Sequence, residues 1–222
     1  AGLVTPSNTR YGNFVDSPFD LSTSFTDNES AVTSCEYTIN GGSTWLPATI
    51  SGSLPNFTCT KTGITGSNGQ VLNLNMRATS GGGTSQGTAV QVRIDSVAPT
   101  GSVKINSNAS FTNSTSATLS LSASDTSGVA EMCISDTNSC SAWESYVKSK
   151  PWTLSSGDGT KTVQIWFKDR VGNVNSTPFT DQITLDTVPP TNPATVTSSS
   201  HTPNVWSKDR TIETKWSGAT DE

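Results

Sequence analysis

RIDSVAPTGSV (Arg93 to Val103) and TLDTVPPTNPA (Thr184 to Ala194) are one phrase written twice. Asp95 and Asp186 stand 91 residues apart, each followed by Ser or Thr, then Val, one further residue and Pro. A period near ninety residues, punctuated this way, is the spacing of stacked β-sandwich modules rather than of one enzyme domain. The phrase divides the chain into residues 1–96, residues 97–188 and a shorter third unit, residues 189–222.

Between the two phrases the pattern is that of strands. Ala117, Leu119, Leu121 and Ala123 alternate with Thr118, Ser120 and Ser122, which places apolar groups inward and hydroxyls outward. Val163, Ile165 and Phe167 alternate with Gln164, Trp166 and Lys168, and Ile183 and Leu185 lie on the inward side of the closing strand. SDTSG (Ser124 to Gly128) and DRVGN (Asp169 to Asn173) are turns between such runs. Short strands separated by turns of this kind predict an antiparallel sandwich.

The first unit keeps the same frame. Leu72, Leu74 and Met76 fall 91 residues before Val163, Ile165 and Phe167, and Val92 and Ile94 match Ile183 and Leu185. In the first half two registers compete. Cys35 and Cys133 differ by 98, whereas the apolar set Val32, Cys35, Tyr37 matches Val129, Met132, Ile134 at a difference of 97. A slip of one residue sends every side chain to the opposite face, so burial decides the register. Cys35 is then expected to point inward and Cys133 outward. In the third unit Ile212 and Lys215 to Ser217 read as an early strand before a turn like SDTSG. Opening strands alone cannot close a core, so the chain reads as a fragment, or the ordered part, of something longer.

Composition removes several classes of function. Charged residues make up 14% of the 222, the formal net charge is −5, and the pI is near 4.8. No basic run is present to neutralise phosphates, so nucleic acid is not an expected partner. No apolar stretch approaches the roughly twenty residues that span a bilayer. Without an initiator Met or a signal-peptide pattern, Ala1 reads as a mature or excised start.

Cys35, Cys59, Cys133 and Cys140 lack the close Cys/His spacing of a zinc site. Two disulfides in an oxidising compartment are expected instead. Of the three possible connectivities, pairing within units gives Cys35–Cys59 and Cys133–Cys140. Loop-closure entropy assigns them about 3.5 and about 2.5 kcal/mol.

SDTSGVAEM, PWTLSSGDGTKTVQIWFKDRVGNV and LDTVPPT together resemble the bacterial immunoglobulin-like repeats of large secreted and cell-surface proteins. The third unit is similar to the opening of a fibronectin type III-like module. The match is best from Asp95 to Thr191; the first unit departs from it, with SGGGTSQG (Ser80 to Gly87) in place of the Asp-x-x-Gly-Asn turn. The resemblance implies an all-β chain of tandem immunoglobulin-like antiparallel β-sandwiches. It also implies a bacterial, extracellular or cell-surface address and a non-catalytic role as stalk, adhesin or array component. Its alternative is an accessory carbohydrate- or protein-binding module of a larger secreted enzyme. No catalytic residue is carried over, because the motif consists of turns.

Asp125 and Asp169 have a local use as acceptors of backbone N–H bonds within their own turns. Calcium is the competing use for Asp side chains near module junctions. Without an Asp-x-Asp-x-Asp string no metal or other cofactor is assigned, and Asp95 and Asp186 beside the linkers are the residues left as calcium candidates. TINGGSTW (Thr38 to Trp45) reads as a tight Asn-Gly hairpin with Trp45 packed beside it. His201 is the single histidine, in the linker-like SSSHTPN, and no Gly-x-Ser-x-Gly elbow occurs. No enzyme activity is expected.

The expected partners are neighbouring modules of the same chain and a protein partner or other copies. Interfaces draw much of their energy from large aromatics. Trp166 alternates out of phase with the core residues, with Gln164 and Lys168 on its face, so this face is expected to be exposed and to meet the partner. The prolines of SVAPT (Ser96 to Thr100) and TVPPT (Thr187 to Thr191) favour extended linkers and an elongated arrangement.

Overall fold

A computed structural model of the chain describes residues 2–8, 10–202 and 204–221. The chain is all-β. The first unit runs β1 (Thr5–Pro6), β2 (Arg10–Tyr11), β3 (Phe14–Val15), β4 (Phe19–Thr26), β5 (Ser34–Thr38), β6 (Leu46–Ser53), β7 (Asn56–Ile64), β8 (Val71–Ser80), β9 (Gly83–Gln86) and β10 (Val90–Ile94). Their order is β1-β4-β7-β6-β5-β8-β10-β3-β2, with β9 beside β8. Only β3, which lies along β10, is parallel to its partner among these ladders. β6 joins the two layers: Ala48 pairs with Cys35 of β5, and Thr49 then pairs with Thr60 of β7.

The second unit runs β11 (Thr100–Ile105), β12 (Phe111–Thr112), β13 (Ser116–Ser124), β14 (Val129–Ser135), β15 (Glu144–Ser145), β16 (Ser149–Thr153), β17 (Gly159–Asp169) and β18 (Phe179–Leu185). It forms two sheets, β11-β13-β16 and β12-β18-β17-β14-β15. The third unit contributes one antiparallel pair, β19 (Thr195–Ser198) and β20 (Thr214–Ser217). Among the described residues no helix is long and apolar enough to cross a membrane.

Period-two alternation builds both cores. Leu119, Leu121, Val163, Ile165, Phe167, Ile183 and Leu185 are buried, as are Leu72, Leu74, Met76, Val92 and Ile94. At about 1.5–3 kcal/mol per fully buried large side chain, these inward rows are the main force holding the layers together. Tyr146 and Phe179 flank Phe167 at ring-centroid distances of 5.7 Å each. Cys35 and Cys59 lie within the first core and are bonded to each other. Cys133 is bonded to Cys140 but lies outside the apolar cluster of the second core, on the opposite face of β14 from Met132.

Candidate functional site

The site lies where the first sandwich meets the second. β10 ends at Ile94, and the Asp95 N–H donates to the Val15 carbonyl at 2.9 Å, so the chain leaves the first module in a fixed direction. Asp95 is only 1% exposed. Its Oδ2 accepts the Ser127 N–H of the second module at 3.2 Å, and its Oδ1 accepts Val97 N–H at 3.4 Å. The turn after β13 brings Asp125, whose Oδ1 accepts the N–H and hydroxyl of Ser127 at 2.8 and 2.9 Å. Gly128, with φ +92°, completes that turn in backbone space that favours glycine.

The turn after β17 brings Asp169, 2% exposed. Its Oδ1 accepts the N–H groups of Val171, Gly172 and Asn173 at 2.9, 2.6 and 2.8 Å, and its Oδ2 accepts Asn173 Nδ2 at 2.7 Å. The local turn chemistry expected for Asp125 and Asp169 is therefore present. The same turn also grips the linker. Asn173 Nδ2 donates to the Asp95 carbonyl at 3.1 Å, and Asn175 Nδ2 donates to the Pro99 carbonyl at 2.5 Å. Asn175 Oδ1 accepts the Phe167 N–H at 3.3 Å, which couples the linker to strand β17. Beside this wiring, the Arg170 guanidinium sits 4.1 Å from the ring of Tyr11 of the first module.

One carboxylate oxygen each from Asp95, Asp125 and Asp169 lies within 4.8 Å of the others. The salt bridges among the described residues, Arg77–Glu36, Lys150–Glu144 and Lys168–Glu131, all lie elsewhere. Burial pushes the Asp125 carboxyl above its ordinary range, and the charges of Asp95 and Asp169 push the same way, against the hydrogen bonds from Ser127. Three hard oxygen donors of this kind could hold a divalent cation such as calcium, with further oxygen ligands completing its shell. Sequence reading named all three, giving Asp125 and Asp169 to their turns and keeping Asp95 as a calcium candidate, but it did not bring them together, because they come from separate segments. Asp186 is not in this cluster; its Oδ1 accepts Val188 N–H at 3.1 Å at the far end of the second module.

The expected exposure of Trp166 is corrected by the structure. Trp166 does point away from the core, but it is only 8% exposed. It pairs across the ladder with Cys133, so both side chains share one face. Cys133 ties down Cys140, and three residues later the ring of Trp143 lies 4.1 Å from Lys168 Nζ, which also bridges to Glu131. Gln164 keeps a buried Oε1 without a hydrogen-bond partner. With Trp166 nearly buried and Trp143 set over Lys168, the three residues do not form an open patch.

Two other sequence features have local roles. Asn40 Oδ1 accepts Thr44 N–H at 3.0 Å, and Trp45 packs beside Gly42 with Arg77 4.3 Å from its ring. His201 Nδ1 lies 2.8 Å from Ser200 Oγ, a pairing that sequence reading did not anticipate, and Nε2 lies 3.1 Å from the Asp209 carbonyl. Ser200 Oγ also accepts the Glu213 N–H at 2.9 Å, so this hydroxyl is part of the turn closing the third unit.

No protein-family model and no curated protein matches the chain. Among solved structures, the chain is similar to the fibronectin(III)-like modules of Clostridium thermocellum CbhA, at 17% identity and TM-score 0.46 over 82% of this chain and 94% of that one. It is also similar to a tetra-tandem repeat from the extending region of a large adhesion protein, at 19% identity and TM-score 0.29. That match covers 90% of this chain and 52% of the other, so the chain spans about half the length of that structure. A third is a chimeric titin Z1Z2 tandem, at 11% identity and TM-score 0.26, over 82% and 98% of the two chains. The architecture itself rests on the strand order: two antiparallel β-sandwiches of immunoglobulin-like type in tandem, followed by a strand pair.

Proposed function

We propose that the chain is a non-catalytic spacer segment of a bacterial surface or secreted protein, and that its working part is the joint between sandwiches. On this reading the modules are held end to end in one orientation, as a stalk or surface array requires. The observation that carries it is the wiring of the linker. Asn173 and Asn175 of the second module bond the carbonyls of Asp95 and Pro99, while the Asp95 carboxylate accepts Ser127 N–H in return. A flexible connection would leave those linker carbonyls to water. The two disulfides support an oxidising, extracellular compartment. Residual dipolar couplings test the reading: both sandwiches should fit one alignment tensor. Two independent tensors would mean that the joint does not hold them.

A further inference from the structure

The outward side of β13 in the second sandwich carries only small hydroxyls: Ser116, Thr118, Ser120, Ser122 and Ser124, all exposed. The outward side of β8 in the first sandwich is built differently. Its inward residues Leu72, Leu74 and Met76 are core, and between them stand Asn73 and Asn75, near the middle of a strand of 10 residues. Asparagine is depleted in strands, so two at alternate positions of a strand paired on both sides run against local preference. Departures of that kind collect at functional surfaces. Neighbouring strands extend the amide band. Gln91 of β10 is the cross-strand partner of Asn73 and donates its Nε2 to Asn73 Oδ1 at 2.8 Å. Asn75 Nδ2 lies 3.5 Å from Oε1 of Gln86 in β9. Asn73, Gln86 and Gln91 are exposed, and among the described residues Asn73 Nδ2, Gln86 Nε2 and Gln91 Oε1 have no further partner. A carboxamide offers donors and an acceptor side by side, the complement of adjacent hydroxyls on a sugar ring.

Toward the joint the same face becomes cationic. Arg93 pairs with Val71 of β8 and Phe14 of β3, and Phe14 pairs with Tyr11 of β2, so one row of side chains crosses four strands. The Arg93 guanidinium lies 6.0 Å from the Phe14 ring, and that of Arg170, from the second sandwich, lies 4.1 Å from the Tyr11 ring. Both arginines are exposed, and among the described residues neither joins a salt bridge, although the chain has a formal net charge of −5. Arg77 and Glu36 on this face neutralise each other. A guanidinium laid on an aromatic ring is held in orientation and keeps its N–H fork for a carboxylate.

We infer that this face, from the amides of Asn73, Asn75, Gln86 and Gln91 to the guanidiniums of Arg93 and Arg170, binds an acidic polysaccharide. The amide band takes ring hydroxyls, and the two arginines take carboxylates of the same glycan. Charge and hydrogen-bonding type together select this occupant. A neutral glycan leaves both arginines unmatched, an acidic peptide leaves the amide band unused, and two cations are too few to hold nucleic acid. The inference goes beyond the spacer role and does not depend on it. Five of the six residues belong to the first sandwich, and only Arg170 comes from across the joint.

Affinity electrophoresis of the whole chain tests it, in native gels containing polygalacturonate, alginate or neutral dextran. The polyuronates should retard the protein and dextran should not. Arg93→Gln with Arg170→Gln should weaken the retardation by about tenfold or more, since each loses a charge-assisted bond. Asn73→Thr with Gln91→Thr keeps side chains suited to a strand and should weaken it by about threefold or more. Gln91→Thr alone, at an exposed position, replaces the pair if the double variant has a lowered unfolding midpoint. Soluble poly-glutamate at equal carboxylate concentration should not compete. Absence of retardation in both polyuronates overturns the inference, and equal retardation in dextran overturns the acidic assignment. Competition by poly-glutamate as strong as by free polyuronate, or binding that survives the amide replacements, reduces the face to a general anion patch and also overturns it.

Discussion

Asn173 donates its side-chain amide to the main-chain carbonyl of Asp95 at 3.1 Å, tying a turn of the second sandwich to the residue that leaves the first. The same side chain bonds the Asp169 carboxylate, so its position is set from within its own module. One amide thus transmits the orientation of strand β17 to the linker.

Asn173→Ala together with Asn175→Ala removes both carboxamide bonds to the linker. At about 1 kcal/mol net per hydrogen bond, opening of the joint becomes easier by about 2 kcal/mol. Proteolytic cleavage within the linker, residues 96–100, should accelerate by about thirtyfold. An unchanged cleavage rate would show that these amides do not hold the modules together.

Asp125→Asn tests the uncompensated charge. The folded protein holds the Asp125 proton more tightly than the unfolded chain does. This contribution to stability is therefore full below the ordinary carboxylate range and is lost as pH rises through the raised value. Urea midpoints of the wild type between pH 4 and 7 should fall more steeply than those of Asp125→Asn. Parallel curves would mean that the residue is not strained by its neighbours. Calcium has the same sign as the proton here. It should raise the wild-type midpoint at neutral pH relative to chelator and raise that of Asp125→Asn less, since an uncharged amide oxygen is the weaker ligand.

Trp166→Ala should destabilise the second module by about 3–5 kcal/mol, as the loss of a buried aromatic does. The ring shares its face with Cys133 and is almost wholly covered. Chemical denaturation measures this directly. A cost below about 1 kcal/mol would restore Trp166 as a surface residue.

Gly101→Ala adds a methyl that meets the Phe167 ring at 2.5 Å and the Ser122 carbonyl oxygen at 2.6 Å. Neither neighbour can retreat, since one is core and the other is backbone in the paired strand. The expected cost is about 1–3 kcal/mol. A variant as stable as the wild type would show that β11 sits further from the opposite sheet.

What could be read from the sequence follows from what repeats. The inward rows Leu72, Leu74, Met76 and Val163, Ile165, Phe167 were visible because burial on one face of a strand has period two. The same alternation gave the direction of Trp166 correctly. It could not give its burial, because alternation fixes which face a side chain takes and not what packs against that face. The carboxylate cluster was hidden for a related reason. Asp95, Asp125 and Asp169 belong to a linker and two turns, and only the pairing of β11 with β13 and the reach of β17 bring them together.

Small-angle scattering on the whole chain tests the central claim, that the joint holds the two sandwiches end to end in a single orientation. The account predicts an elongated particle described by one arrangement, with a maximum dimension near that of two sandwiches in line. A compact curve from sandwiches packed side by side, or data that require a broad mixture of arrangements, would contradict it.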